Sequence, residues 1–230
     1  MTTGLKGLIF DLDGVIADSH QAHKKAWRAL LSELDRTVNE EELDIVLEGR
    51  KRQEILTFFL GELTPAQKAD YGTLKEKLFW ESAETVRTVP GVLEFISDVQ
   101  KRSLAIAVAT SATRDRALAM LKEFNLSAAF AAVVTGDDVE KGKPDPTIFQ
   151  RAAEQLQIAP QDLLVFEDAV AGVQAAKSAG MKCVAIAVNG RKALLERAGA
   201  DLVVEDFTRI RLDQLEELLQ TGRKAKTALI

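Results

Sequence analysis

The sequence predicts an α/β protein, a doubly wound parallel sheet into which an all-helical domain is inserted. Three observations predict it. Six short apolar runs have strand length: Leu5–Phe10, Leu104–Ala109, Ala131–Val134, Leu163–Phe166, Val184–Val188 and Leu202–Val204. Helical patterns near 91–102, 113–125, 146–157, 169–179, 191–198 and 212–220 alternate with the last five runs, which implies right-handed crossovers and a sheet covered on both faces. Residues 17–87 instead carry helical periodicity and no strand run.

Taken in order, the first run ends at Asp11-Leu12-Asp13-Gly14, where apolar residues give way to two carboxylates. The helical block follows directly. His23, Trp27, Leu30, Leu31 and Leu34 share one stripe, Ile55, Phe58 and Phe59 a second, and Tyr71, Leu74 and Leu78 a third. Asn39 with Glu42 reads as a capping box, and Thr64-Pro65-Ala66-Gln67 as a cap with proline in the first turn. The division expected is a core of 1–16 and 88–230 with a helical cap of 17–87, placed over the carboxyl ends of the strands where open α/β sheets bind ligands. In the core, Asp145-Pro146 reads as an N-cap with Pro at N1, and Gly180 and Gly199 as residues that end helices.

Composition narrows the partners. The 230 residues are 47% hydrophobic and 28% charged, with a formal charge of −5, which gives no support for a nucleic-acid surface. The basic residues Arg223, Lys224 and Lys226 read as a solvated terminus. The single cysteine, Cys183, lies in a strand-like run and reads as buried packing in a reducing compartment. No secretory leader precedes the first strand and no apolar stretch approaches about 18 residues. The expectation is a cytoplasmic protein, monomer or weak dimer, that engages neither membrane nor nucleic acid.

The strand ends carry the chemistry. Residues i and i+2 of a strand share a face, so Asp11 and Asp13 converge; two like charges about 4 Å apart cost about 4 kcal/mol at an effective dielectric near 20. Thr110 and Ser111 end the second sheet run, Lys143 precedes a helix, and Glu167-Asp168 ends a fourth strand. In a parallel sheet these ends open at one edge. Hard oxygen ligands without a His or Cys cluster favour Mg²⁺, and hydroxyls and helix amides beside a lysine suit a phosphate. Phosphoryl transfer is the reaction this set serves. Taken singly, Glu167-Asp168 also reads as a helix-capping pair and Thr110 as a strand-end hydroxyl. A calcium loop does not fit, because Val15, Ile16 and Ala17 follow Gly14 and no Glu closes twelve residues. Gly136…Gly142-Lys143 misses the phosphate-loop spacing, with Pro144 where Ser or Thr belongs.

Asp11-Leu-Asp13-Gly14-Val-Ile-Ala-Asp18-Ser19, Thr110-Ser111, Lys143-Pro144 and Glu167-Asp168 resemble the four ordered motifs of the haloacid dehalogenase (HAD) superfamily. The helical insert is similar to that of its small-cap members, the sugar phosphatases and β-phosphoglucomutase, and the likeness covers essentially the whole chain. The resemblance implies a Rossmann-like core and an aspartyl-phosphate route on a small sugar phosphate. Asp11 would be the nucleophile and Asp13 the general acid/base; Thr110, the Ser111 amide and Lys143 would bind the transferring group. Asp11, the Asp13 carbonyl and Asp168 would hold Mg²⁺, with Glu167 close by. His23 matches a cap-helix position of both subgroups and reads equally as a structural histidine beside Trp27. Arg52, in Gly49-Arg-Lys-Arg52, matches a mutase arginine for the second phosphate and reads equally as a solvated turn. A cap lysine would have to come from Lys75-Glu76-Lys77. Ala169 replaces a serine common in the mutase. The functions open at this point are a sugar-phosphate phosphatase first, β-phosphoglucomutase second, and a phospho-accepting receiver domain as a remote third, against which the insert and the length argue.

Overall fold

The computed structural model describes residues 4–187 and 190–221. The basic residues Arg223, Lys224 and Lys226 and the last residue of the Val184–Val188 run lie outside the described residues. The strands are β1 (Gly7–Phe10), β2 (Ala17–Asp18), β3 (Arg87–Thr88), β4 (Ala105–Ala109), β5 (Ala132–Val134), β6 (Leu163–Glu167), β7 (Lys182–Ile186) and β8 (Leu202–Val204). The α-helices are α1 (His20–Glu33), α2 (Glu40–Leu43), α3 (Arg52–Leu60), α4 (Pro65–Ser82), α5 (Val92–Lys101), α6 (Arg114–Glu123), α7 (Thr147–Leu156), α8 (Val170–Ser178), α9 (Lys192–Ala198) and α10 (Leu212–Thr221). Among the described residues no helix is long and apolar enough to cross a membrane.

Six strands form one parallel sheet in the order β5-β4-β1-β6-β7-β8, the doubly wound topology expected from the alternation. Alternate side chains feed opposite layers. Leu8, Phe10, Val108, Phe166 and Val184 pack on one face, where Phe10 stacks on Phe166 with ring centroids 4.9 Å apart. Ile9, Ala107, Ala109, Val165, Cys183 and Ala185 pack on the other. Small Ala107 and Ala109 leave room there for α7 against the sheet. Cys183 is fully buried, and burial pushes its thiol pKa well up, so it packs and does not react.

Register positions the site. Phe10 lies opposite Val108 on one side and Phe166 on the other, so the next residue, Asp11, emerges beside Ala109 and Glu167.

Helices α1 to α4 lie between β2 and β3, which pair antiparallel as a two-residue ribbon, Ala17 with Thr88 and Asp18 with Arg87. This ribbon corrects the expectation of no strand in 17–87; two residues are too few for alternation to register. The insert has its own core of Trp27, Leu30, Leu31, Leu43, Val46, Ile55, Leu56 and Phe59. Ala22, Ala26 and Phe79 at its root pack instead with Leu12, Val15 and Ile16 of the sheet layer.

Both capping boxes form: Asn39 with Glu42, and Thr64 with Gln67. Phe58 is 57% exposed, so Leu56 and not Phe58 completes the stripe of Ile55 and Phe59. Asp145 does not cap α7 as expected. Its carboxylate accepts from the Thr147 amide at 3.0 Å and from the Thr147 hydroxyl, a tight turn that delays the helix to Thr147. Gly180 and Gly199 adopt φ of +77° and +102° where α8 and α9 end.

Candidate active site

Asp11, Thr110, Lys143, Glu167 and Asp168 gather at the carboxyl edge of the sheet, each 5% exposed or less. Lys143 Nζ donates to Asp11 Oδ1 at 2.9 Å, to Glu167 Oε1 at 2.5 Å and to the Ala109 carbonyl at 3.4 Å. The other Glu167 oxygen accepts the amides of Asp168 and Ala169, both at 2.7 Å. Helix α8 passes close behind. A Cβ at Gly172 would lie 1.8 Å from Glu167 Oε1, so only glycine lets the carboxylate rest against that helix.

Electrostatics leave the cluster short of positive charge. Burial raises the Asp11 carboxyl to about 8; Lys143 works against the rise, and Glu167, Asp168 and Asp13 add to it. Glu167 is raised as well, chiefly by burial. Burial opposes the charge on Lys143, but Asp11 and Glu167 outweigh it and raise its pKa. One ammonium therefore faces three acidic side chains. Oxygen atoms of Asp11, Glu167 and Asp168 lie within 4.8 Å of one another, an all-oxygen donor set suited to a hard divalent cation. Asp13 contributes no side-chain oxygen to that group.

The Asp13 carboxylate turns instead to the insert and to α6. Its Oδ1 accepts from Ser19 Oγ at 2.7 Å, Arg116 Nη1 at 2.8 Å and His23 Nε2 at 3.1 Å, and Arg116 Nη2 sits 2.8 Å from Oδ2. Burial opposes ionisation, but Arg116 and His23 hold the carboxyl well below the usual carboxylate range. Lys75 Nζ lies 3.1 Å from His23 Nδ1, and the other ring nitrogen lies 3.1 Å from Asp13 Oδ1 and 3.2 Å from Arg116 Nη1. Burial, then the Lys75 charge, push His23 down to about 3, so the ring is neutral. Burial and Arg116 push Lys75 down to about 7. The choice left open in Lys75-Glu76-Lys77 is thereby decided: Lys75 is 2% exposed at the site, whereas the Lys77 side chain is 72% exposed.

Other expected residues take different positions. Thr110 Oγ1 accepts the Ala112 amide at 3.1 Å. The Ser111 hydroxyl donates to the Gly49 carbonyl of the insert at 2.6 Å. Lys51 Nζ reaches the Val139 carbonyl at 2.7 Å, and Arg191 Nη1 the Leu47 carbonyl at 3.0 Å. These three contacts clasp segment 47–51 to the core. Arg52 is tied within the insert, donating to the Gly72 carbonyl at 3.2 Å and to Glu76 Oε1 at 3.3 Å. The cavity between the layers, lined by Asp11, Asp13, Lys75, Thr110, Arg116 and Asp168, holds about 70 Å³. Ligand clefts begin near 300 Å³, so with segment 47–51 clasped to the core this cavity is smaller than such a cleft.

Two site residues escaped the sequence reading. Arg116 is 6% exposed on the inner face of α6 with Ala117 and Met120, and its guanidinium lies 5.0 Å from the Phe79 ring. His20 Nε2 sits 2.7 Å from Asp168 Oδ2; burial opposes its charge, but the hydrogen bond and charge of Asp168 raise its pKa. Each left a signal, a polar residue on an apolar helical stripe.

Residues 8–186 match the family model described as haloacid dehalogenase-like hydrolase. The phosphorylated carbohydrates phosphatase of Thermotoga maritima is 32% identical over 206 residues, covering 86% of this chain and 94% of its own. The β-phosphoglucomutase of Bacillus subtilis is 33% identical over 231 residues, covering 93% of this chain and 95% of its own. A β-phosphoglucomutase structure from Clostridium difficile superposes with a TM-score of 0.84 at 25% identity, covering 94% of this chain and 97% of that one.

Proposed function

The chain belongs to the haloacid dehalogenase-like hydrolases, and on that premise we propose a Mg²⁺-dependent phosphatase of small sugar phosphates working through an aspartyl-phosphate. The observation that carries the reading is the division of labour between two neighbouring acids. Asp11 is buried against Lys143 among the metal-type oxygens, while Asp13 faces the insert and its proton carriers.

Asp11, Glu167 and Asp168, with the Asp13 carbonyl, would hold the cation. Bound there, Mg²⁺ supplies the positive charge that offsets these carboxylates and the charge developing on the phosphoryl oxygens. In the first step an Asp11 oxygen bonds to phosphorus, the bond from phosphorus to the leaving oxygen breaks, and Asp13 gives that oxygen a proton. In the second, Asp13 takes a proton from water as the water oxygen attacks phosphorus and frees Asp11. Lys143 and Thr110, with the Ser111 amide, orient the transferring group. Asp13 rests ionised, so it must be charged with a proton before the first step. The row Lys75–His23–Asp13 connects it to a lysine of pKa about 7, a group that exchanges protons near neutrality.

Water and a sugar hydroxyl compete as acceptor, and the second outcome is a phosphomutase. Arg52 Nη1 is engaged by Glu76 and Gly72 while its buried Nε has no partner, so this guanidinium does not by itself decide between the two acceptors. The sugar-phosphate class is carried over from the activities of these relatives. The test is β-glucose 1-phosphate with a trace of glucose 1,6-bisphosphate. Free phosphate as product supports the phosphatase, and glucose 6-phosphate shows a mutase. Asp11→Asn should abolish both, and turnover that persists in it removes Asp11 as nucleophile.

A further inference from the structure

We propose that His20 is a positioning residue for the cation-binding carboxylate of Asp168, and that through it the helical insert completes the metal site. The inference rests on the Mg²⁺ reading above and deepens it. Two of the three converging acids are held from the core: Asp11 by Lys143, and Glu167 by Lys143 and two amides. The Asp168 carboxylate is held differently. Its side-chain hydrogen bond comes from His20 Nε2 at 2.7 Å, with His20 4% and Asp168 5% exposed. A carboxylate fixed through one oxygen turns only by breaking that bond. An oxygen of this carboxylate lies within 4.8 Å of those of Asp11 and Glu167, so the bond from His20 limits how the Asp168 group can turn beside them.

The local chain is shaped around this pair. Gly14 has φ of +74°, and a Cβ there would lie 2.2 Å from Asp168 Oδ2 and 2.5 Å from His20 Nε2. Any side chain at position 14 would occupy the hydrogen bond itself, so glycine is required for space as well as for backbone conformation. His20 is also the first residue of α1, separated from the ribbon strand β2 by Ser19 alone. One turn further along the same helical face, His23 reaches Asp13. A single rigid helix thus touches the metal acid and the proposed acid/base together. Movement of α1 away from the core would release both. By linkage, cation binding and cap closure then favour each other.

The experiment is calorimetric titration of Mg²⁺ into the metal-stripped protein, with thermal unfolding of each metal-free variant alongside. Outer partners of metal ligands typically govern affinity by about 10–100-fold, and His20→Ala is expected to weaken Mg²⁺ binding by that amount. His20→Gln places an amide nitrogen near the position of Nε2 and is expected to recover most of the loss. His20→Asn is too short and should bind as weakly as the alanine variant. This Gln and Asn pair decides the matter even if His20→Ala does not fold. Affinities that follow donor reach rather than melting temperature support positioning. Binding in the alanine or asparagine variant as tight as wild type, or equal weakness of the folded Gln and Asn variants, overturns it. A wild-type protein that takes up no Mg²⁺ overturns the cation reading along with it, whereas wild-type binding with unaltered variants overturns the role of His20 alone.

Discussion

Replacing Arg116 with methionine removes the cation that holds the proposed acid/base. Arg116 contacts both Asp13 oxygens at 2.8 Å and is 6% exposed, so neither partner retreats readily to water. Breaking a buried ion pair costs about 3–5 kcal/mol. Asp13 keeps its bonds from Ser19 and His23 and a side chain 21% accessible, so the lower end applies, about 3 kcal/mol. In a chain of this size each kcal/mol moves Tm by about 2–4 °C, so Arg116→Met should melt roughly 6–12 °C lower at pH 7. The loss depends on pH. Asp13 has a folded pKa below its unfolded value, so the pair contributes fully above an unfolded carboxylate pKa of about 3.9 and is lost as pH falls through the folded value. Urea unfolding of both proteins at pH 7 and near pH 3 measures this directly. A difference below about 1 kcal/mol at pH 7 would match an exposed pair and refute the assignment. So would a difference of equal size at both pH values. Without the guanidinium the Asp13 carboxyl loses the charge that holds its pKa down, so the limb of the kcat/KM profile set by its proton, the alkaline one, should move to higher pH.

Two further outcomes test the surrounding architecture. Asp201 is buried against its own ionisation, yet Lys177, the Cys183 amide and Lys182 hold its pKa below the ordinary value. Its stabilisation is present above the unfolded carboxylate pKa and disappears as pH falls through the folded one, so Asp201→Asn should cost about 1–2 kcal/mol at pH 7 and little near pH 2.5; chemical denaturation at the two pH values checks it. Lys51 clasps the cap through the carbonyls of Val139 and Glu140, at 2.7 and 3.3 Å. A charge-assisted bond of about 1.5 kcal/mol corresponds to roughly tenfold in the closure equilibrium, so Lys51→Met should shift substrate-free protein towards the open form by that factor. A pair of fluorophores across the cleft reports the change, and an unaltered transfer efficiency would remove Lys51 from the clasp.

The sequence alone carried the sheet and one half of the site. A strand end followed by acids, hydroxyls or a basic loop is a local signal, and parallel topology delivers every such end to the same edge. Asp11, Thr110, Lys143, Glu167 and Asp168 therefore meet without any knowledge of side-chain packing. Local caps were legible for the same reason, since Asn39 with Glu42 and Thr64 with Gln67 each span a single turn. Tertiary structure alone decided what stands over the acids. Arg116 of α6 reaches Asp13 across 103 positions of the chain, and His20 of α1 reaches Asp168 across 148. Pairs so far apart leave no periodicity to read. Whether Lys75 or Lys77 enters the site, whether Phe58 or Leu56 is buried, and whether Ser111 clasps the cap all depend on how one helix face turns against another layer. The opening motif determined that Asp11 and Asp13 begin side by side. His23 of the insert and Arg116 of α6 hold Asp13 while Lys143 holds Asp11, and these partners are what separate the environments of the two acids.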